Sequence, residues 1–322
     1  SARTNGFVPI GPSVVSNATA VAGSFNPTQF GYFGGSYLPA ATSTVDRIDY
    51  SNDTATAVAK GSLSVIRYSA AATGNSFFGY FGGGSPGPLS SVDRVDYSND
   101  TATAATKGPL VAVRYQLSAT GNASFGYFAG GKPAPEKTSV DRIDYSNDTA
   151  TASPKGPLSQ TRGQFGATGN ASFGYFGGGD GGTGAISKVD RIDYSNDTAT
   201  AVAKGPLSQT RRLLSATGNA SFGYFGGGFN SAKSTVDRID YSNDTATASP
   251  KGPLSTTKSN LAATGNASFG YFGGGSAPSA NVSTVDRVDY SNDTATAVAK
   301  GPLSAAKTGS AATSAAANAL PQ

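Results

Sequence analysis

VDRIDYSNDTATA, residues Val140–Ala152, is one of six nearly identical copies of the same stretch. Only the fourth position changes, between Ile and Val, and the copies begin at Val45, Val92, Val140, Val189, Val236 and Val285. Their spacings are 47, 48, 49, 47 and 49 residues, which suits a propeller blade of four short strands. The even period predicts one ring built by duplication rather than two separate domains.

The unit divides into four strand-like segments, which we call a, b, c and d. In the third unit, RYQLSAT is strand a, a Gly-Asn turn follows, and ASFGYFAGG is strand b. The loop KPAPEKTS leads to strand c, VDRIDYS, and a polar Ser-Asn-Asp turn leads to strand d, TATASPKGPLS. Four antiparallel strands per unit predict an all-β fold, a six-bladed β-propeller.

All variation in length falls in the b–c loop, and the d–a connection is the second place where the sequence varies. The b–c loops read SYLPAATST, GSPGPLSS, KPAPEKTS, GDGGTGAISK, GFNSAKST and GSAPSANVST, and the d–a connections also differ. Both kinds of segment lie at the same end of an antiparallel four-stranded sheet, and the a–b and c–d turns lie at the other. Since surface loops tolerate insertions and paired strands do not, we expect one variable and one uniform end of the disc.

The C-terminal residues predict how the ring closes. Residues 311–313 align with residues 262–264, so a strand a begins there with no strand b after it, whereas the first unit begins directly with strand b. We therefore predict that residues 305–315 supply strand a to the first blade, which removes free sheet edges. An alternative uses residues 14–22, VVSNATAVA, as the closing strand. The predicted domains are an N-terminal arm (1–27), the propeller (28–315) and a C-terminal tail (316–322).

The composition excludes several classes of function. Cysteine and histidine are absent, so the usual ligands of zinc, copper and haem iron are missing, as are thiol and imidazole catalysis. The sequence therefore predicts no enzyme, no catalytic residue, no cofactor and no metal site. The net charge of +4 is thinly spread and forms no basic stripe. No apolar run is long enough to span a membrane. We expect neither nucleic acid as a partner nor membrane insertion.

Three features of the unit resemble the kelch repeat: paired glycines that end strand b, an Asp-Tyr pair that ends strand c, and a basic residue that opens strand a. This resemblance covers roughly residues 28–315 and implies a kelch-like propeller, although the tryptophan typical of the kelch strand d is absent. The repeat sequence VDRIDYSNDTATA…KGPLS…ATGNASFGYFGGG is also similar to repeats in virion structural proteins of marine phages, especially those that infect cyanobacteria. That second resemblance implies a virion, an extracellular particle, as the location.

The Asp-Arg pair of each motif places two opposite charges within a strand. Buried charges must be paired, so six copies predict a ring of ion pairs between neighbouring blades, with each arginine donating to carboxylates in bidentate fashion. The DYSNDT segment lacks the glycine and distal glutamate of a calcium loop, and we expect a hydrogen-bonded turn there. The predicted structural ion-pair residues are Asp46, Arg47, Asp93, Arg94, Asp141, Arg142, Asp190, Arg191, Asp237, Arg238, Asp286 and Arg287.

A second group of residues falls in or beside the variable segments, outside the aromatic positions that the repeat fixes in the core. Tyrosine and arginine are enriched at interfaces, so we predict a recognition surface there. The candidate binding residues are Tyr37, Arg67, Tyr68, Arg114, Tyr115, Arg162, Phe165, Arg211, Arg212 and Phe229.

The function that we expect is a non-enzymatic virion structural protein, a decoration, tail or fibre component. Its variable loops would contact other virion proteins or the host surface as part of a larger assembly. The alternative is an adhesin module that binds a host-surface glycan or receptor.

Overall fold

The computed structural model describes residues 26–37, 39–133, 135–231 and 233–315. These residues form six sheets of four antiparallel strands each, in the order a-b-c-d. The prediction of an all-β, six-bladed propeller is therefore confirmed. Among the same residues, no helix has the length and apolar character needed to cross a membrane.

The strands share the same bounds relative to the repeat in every blade. The a strands are β24 (Ala311–Ser314), β4 (Ala71–Gly74), β8 (Ser118–Gly121), β12 (Gly166–Gly169), β16 (Ser215–Gly218) and β20 (Ala262–Gly265), for blades 1 to 6. The b strands are β1 (Phe30–Tyr37), β5 (Phe78–Gly82), β9 (Phe125–Ala129), β13 (Phe173–Gly177), β17 (Phe222–Gly226) and β21 (Phe269–Gly273). The c strands are β2 (Ala41–Asp49), β6 (Val92–Asp96), β10 (Val140–Asp144), β14 (Val189–Asp193), β18 (Val236–Asp240) and β22 (Val285–Asp289). The d strands are β3 (Val58–Lys60), β7 (Ala105–Lys107), β11 (Ser153–Lys155), β15 (Val202–Lys204), β19 (Ser249–Lys251) and β23 (Val298–Lys300).

Short 3₁₀ turns follow each strand c. An aspartate at the end of strand c caps the turn, as where the Asp144 carboxylate accepts from the Ser146 N–H at 2.9 Å and from its hydroxyl at 2.6 Å. The hydrogen-bonded turn expected in DYSNDT is thus present. The 3₁₀ segments are Pro27–Gln29, Tyr50–Asn52, Tyr97–Asn99, Tyr145–Asn147, Tyr194–Asn196, Tyr241–Asn243 and Tyr290–Asn292.

The hydrophobic core lies between blades rather than within them. One cluster joins Tyr127 and Val140 of blade 3 to Phe176 and Ile192 of blade 4, and all four side chains are buried. Strand b is buried on both faces, which explains the glycine in its Phe-Gly-Tyr sequence. A Cβ on Gly126 would lie 2.7 Å from both the Tyr145 hydroxyl and a Thr73 methyl group.

The ring closes through the C-terminal strand, as predicted. β24 pairs antiparallel with β1, with Gly31 opposite Ser314 and Gly34 opposite Ala311. Blade 1 is therefore assembled from both ends of the propeller sequence. The alternative closing segment, residues 14–22, lies outside the described residues, as do the predicted tail (316–322) and all of the predicted arm (1–27) except its last two residues.

Candidate interaction surface

The b–c loops and the d–a connectors come together at one end of the disc. A backbone bridge joins each of five connectors to the loop of the blade that it enters: Tyr68 to Ser85, Tyr115 to Lys132, Gly163 to Asp180, Arg212 to Phe229, and Ser259 to Ser276. We call this end the variable face. It comprises the described residues of loops 36–44, 83–91, 130–139, 178–188, 227–235 and 274–284 and of connectors 61–70, 108–117, 156–165, 205–214, 252–261 and 301–310.

Each connector carries one basic side chain that is buried beneath this face. Arg162 has no exposed area, and its guanidinium donates to the carbonyl oxygens of Phe176 and Lys188 and to Asp190 Oδ2, each at 3.0 Å. Burial lowers the pKa of Arg162, and the charge of Asp190 opposes that shift. Such pairs fasten each connector to strand c of the blade that it enters. They are Arg67–Asp93, Arg114–Asp141, Arg162–Asp190, Arg211–Asp237, Lys258–Asp286 and Lys307–Asp46.

Five of the predicted binding residues are therefore assigned wrongly. Their side chains are at most 4% exposed, because they fill the space between the connector and the blade rather than the surface. Phe165 packs edge-on against Phe176 with ring centroids 6.0 Å apart. The five are Arg67, Arg114, Arg162, Arg211 and Phe165.

A second ring of charges lies at the blade interfaces. Asp197 of blade 4 accepts from three groups of blade 3: Arg142 Nη1 at 2.7 Å, the Tyr127 hydroxyl at 2.9 Å and Lys155 Nζ at 3.2 Å. Burial alone would raise the pKa of Asp197, but these donors together hold it below its usual range. The Arg142 guanidinium also lies over the Phe125 ring, 4.2 Å from its centroid. The equivalent pairs are Arg47–Asp100, Arg94–Asp148, Arg142–Asp197, Arg191–Asp244, Arg238–Asp293 and Arg287–Asp53.

The predicted ion-pair residues thus belong to two rings and not one. The motif arginines, such as Arg142, pair across blade interfaces, but through one nitrogen atom and not in the expected bidentate geometry. Their partner is the aspartate of the Ser-Asn-Asp turn. The motif aspartates, such as Asp141, pair instead with the buried connector bases. Sequence spacing alone could not separate these roles, because the partner of each charged residue lies in a distant segment of the chain. Asp141 pairs with Arg114, and Arg142 pairs with Asp197.

The other predicted binding residues do lie on the variable face. The Tyr37 and Tyr68 rings are 4.9 Å apart, and Tyr37 is 46% exposed. Tyr115 is half-buried. Arg212 pairs with Asp180 at 2.9 Å and lies over the ring of Phe229, which is 43% exposed.

Four exposed apolar residues on this face were missed by the sequence reasoning. Val65 and Ile66 precede Arg67, and Val111 and Val113 occupy the corresponding stretch of the next connector. The signal was available, since the other connectors carry Gln-Thr, Thr-Thr or Ala-Ala before the base.

The connectors also meet around the propeller axis. The Gln116 N–H donates to the Ser69 carbonyl at 2.7 Å, and the Gln164 N–H donates to the Gln116 carbonyl at 2.8 Å. This circle of backbone hydrogen bonds continues through Leu213, Asn260 and Gly309 and returns to Ser69. All six residues have positive φ. This backbone conformation is unfavourable for the five that are not glycine, so we attribute it to the hydrogen bonds that close the circle.

An axial cavity of about 110 Å³ is lined by the inner strands and by this circle. Two buried atoms in its lining residues, Gln164 Oε1 and Ser310 Oγ, have no hydrogen-bond partner. Polar lining atoms of this kind suit bound water better than an apolar ligand.

In the part of the chain that the structure describes, no group of three or more aspartate or glutamate side chains is arranged to hold a metal ion. The acidic residues pair with bases or cap turns instead. The chain was also compared with known proteins. No protein-family model matches it, and no curated protein matches it either. The resemblances to kelch repeats and to phage virion repeats gain no support from these comparisons.

Proposed function

We propose that this protein is a non-enzymatic scaffold that uses its variable face to contact other macromolecules in a virion, as a decoration, tail or fibre component. The observation that carries the proposal is the concentration of sequence variation at one end of a rigid ring whose other end is nearly uniform. The six blade interfaces repeat the same tyrosine, arginine and aspartate contacts, whereas the b–c loops differ in all six blades. Function concentrates in loops that a rigid scaffold positions.

A second candidate function is that of an adhesin module for a glycan or receptor. The Tyr37–Tyr68 pair favours it, because an exposed ring packed against a half-buried one offers an amphipathic contact surface. The two candidates differ in two measurable properties. A structural component is present at stoichiometric abundance in purified particles, as mass spectrometry would detect. An adhesin binds a specific glycan through Tyr37 and Tyr68, whether or not it belongs to a particle.

The proposal is tested by site-directed cross-linking in assembled particles. The chain has no cysteine, so a single introduced thiol gives a unique attachment point for a photoreactive group. Thr183→Cys places it in the b–c loop of blade 4, and Ala171→Cys places it in the a–b turn of the same blade, at the opposite end. Both positions are exposed.

We expect cross-links to neighbouring proteins or to the host surface from Thr183→Cys and few from Ala171→Cys. Equal cross-linking from both positions would remove the special role of the variable face. Absence of the chain from purified particles would contradict the virion location while leaving the adhesin candidate open.

A further inference from the structure

Nearly all cations of the molecule are neutralised by its own acids. Of 24 lysines and arginines, Arg3 lies outside the described residues. Twenty of the others form ion pairs. Within the described residues this leaves three cations without an acidic partner: Lys137, Lys188 and Lys233.

The three lysines lie on the variable face of three consecutive blades. Lys137 and Lys188 flank one connector, since the Arg162 N–H donates to the Lys137 carbonyl at 3.2 Å and Arg162 Nη1 donates to the Lys188 carbonyl at 3.0 Å. Lys233 occupies the position of Lys137 two blades further on, where its carbonyl accepts from the Lys258 N–H at 3.1 Å. All three side chains are partly exposed. We call them the lysine arc.

The other charges near the arc are already satisfied. Glu136 pairs with Lys132 at 3.3 Å, and Asp180 pairs with Arg212 at 2.9 Å. The b–c loops of blades 6, 1 and 2 contain no charged residue at all. Among the described residues, the unpaired positive charge of the variable face therefore lies in the b–c loops of blades 3, 4 and 5, and this excess points to an anionic partner.

We propose that the lysine arc binds an acidic polysaccharide, one that carries carboxylate or sulfate groups. Lysine ammonium groups are hydrated point charges at the ends of flexible side chains. They can therefore bind anionic groups repeated along a polymer without the bidentate geometry that an arginine guanidinium imposes. Lysine is depleted in the cores of protein interfaces, which disfavours an acidic protein surface. Three spaced cations are also too few for the dense phosphates of a nucleic acid. This inference rests on the proposed function, because it names the partner chemistry of the same face.

The test compares binding of the whole chain to immobilised polygalacturonate, dextran sulfate, unmodified dextran, polyglutamate and single-stranded DNA, at low and at physiological salt. The first variant is Lys137→Gln/Lys188→Gln/Lys233→Gln. The second variant adds Ala40→Lys, Pro88→Lys and Ser279→Lys, which restores the net charge on exposed positions of blades 1, 2 and 6. The unfolding temperature of each variant checks that the fold is intact.

We expect the wild type to bind polygalacturonate or dextran sulfate, more weakly at higher salt, and not to bind unmodified dextran. The triple Gln variant should lose affinity about tenfold, as three exposed charge contacts of ordinary strength imply. The relocated variant should not recover it. Which acidic polymer binds better distinguishes carboxylate from sulfate recognition.

Three results would overturn the inference. They are wild-type affinity in the relocated variant, no binding to either acidic polysaccharide, or tighter binding to polyglutamate or single-stranded DNA. None of them bears on the cross-linking experiment. Cross-links from Thr183→Cys without polysaccharide binding would therefore leave the proposed function standing and remove only its assigned partner.

Discussion

The three aspartates of one motif stabilise the propeller in three different ways. Asp141 is buried against Arg114, and burial raises its pKa although the Arg114 charge opposes the shift. The Ser146 hydroxyl lowers the pKa of the more exposed Asp144, which caps its turn. Asp148 accepts from Arg94 of the preceding blade at 2.8 Å. Identical side chains thus hold a connector, a turn and a blade interface.

The connector base shows what such a site tolerates. Blades 2 to 5 use an arginine here, and the connectors into blades 6 and 1 use Lys258 and Lys307. Lys258 Nζ reaches Asp286 at 3.1 Å and the carbonyls of Phe272 and Thr284. The site therefore requires a buried cation and not the planar guanidinium of arginine, because backbone carbonyls accept many of the hydrogen bonds that the cation donates.

Arg142→Ala should lower the free energy of unfolding by about 1–3 kcal/mol, since the buried Asp197 carboxylate loses its main partner but the partial exposure of Arg142 weakens the effect. Asp197 would keep Lys155 and Tyr127, and the contact with Phe125 would be lost. Urea denaturation measures the change. Lys137→Ala removes the same charge without breaking an ion pair and should stay within about 0.5 kcal/mol of wild type. Equal stability of the two variants would contradict a role for the interface ring.

At the scale of the element, the repeat pattern predicts the strands well and the connectors poorly. Invariant spacing places Arg142 opposite both Tyr127 and Ser153, as the sheet requires. The connector base also recurs at a fixed spacing, but that spacing does not indicate whether its side chain is buried or exposed. Arg67 follows exposed Val65 and Ile66, yet its side chain is fully buried. It pairs with Asp93 and donates to the Phe81 carbonyl of the blade that the connector enters. Burial that depends on a distant segment cannot be derived from local pattern.

The glycine after each strand d marks another contact between elements. The Gly205 N–H donates to the Asp244 carbonyl of the next blade at 2.8 Å, and a Cβ there would overlap the Ala246 carbonyl oxygen. Gly205→Ala should therefore cost about 1–3 kcal/mol, as overpacking does in tight sites. Gly163→Ala is the matched control, because its nearest atom would be 3.6 Å away. It should leave the urea midpoint unchanged or slightly higher. A similar midpoint for both variants would show that the blade contact is not close.

For the whole molecule, the C-terminal segment (residues 304–314) completes the propeller, the ring of connector bases and the axial circle of backbone hydrogen bonds. β24 completes blade 1, Lys307 and Ser304 hold Asp46, and Gly309 completes the axial circle. Among the described residues, each of the other connectors leads into the blade that follows it directly in sequence, whereas connector 301–310 returns to blade 1 at the start of the propeller. Closure therefore couples all blade interfaces and should make unfolding cooperative.

A chain that ends at Leu303 should lose this closure. The edge of β1 would be exposed and Asp46 would be buried without its partners, so the melting temperature should fall by more than about 10 °C. A chain that ends at Ala315 removes only the predicted tail and should melt like the full chain. Circular dichroism measures both. If the shorter chain melted at the same temperature as the control, the C-terminal strand would not be what closes the ring.

Alkaline pH should unfold the whole ring in one transition, because tyrosines lie at every blade interface. Burial raises the pKa of Tyr50 to about 12 and also raises the pKa of its eleven repeat-fixed counterparts. The folded state then keeps protons that the unfolded chain loses, so the free energy of unfolding falls as the pH rises above about 10. Burial lowers the pKa of the six connector bases, which acts in the opposite sense, but these six groups stand against twelve tyrosines. Tyrosinate absorbance and loss of strand signal in circular dichroism should therefore coincide, whereas in denaturing urea the tyrosines should ionise near pH 10. Ionisation of these tyrosines at that pH with an intact strand signal would contradict their placement inside the blade interfaces.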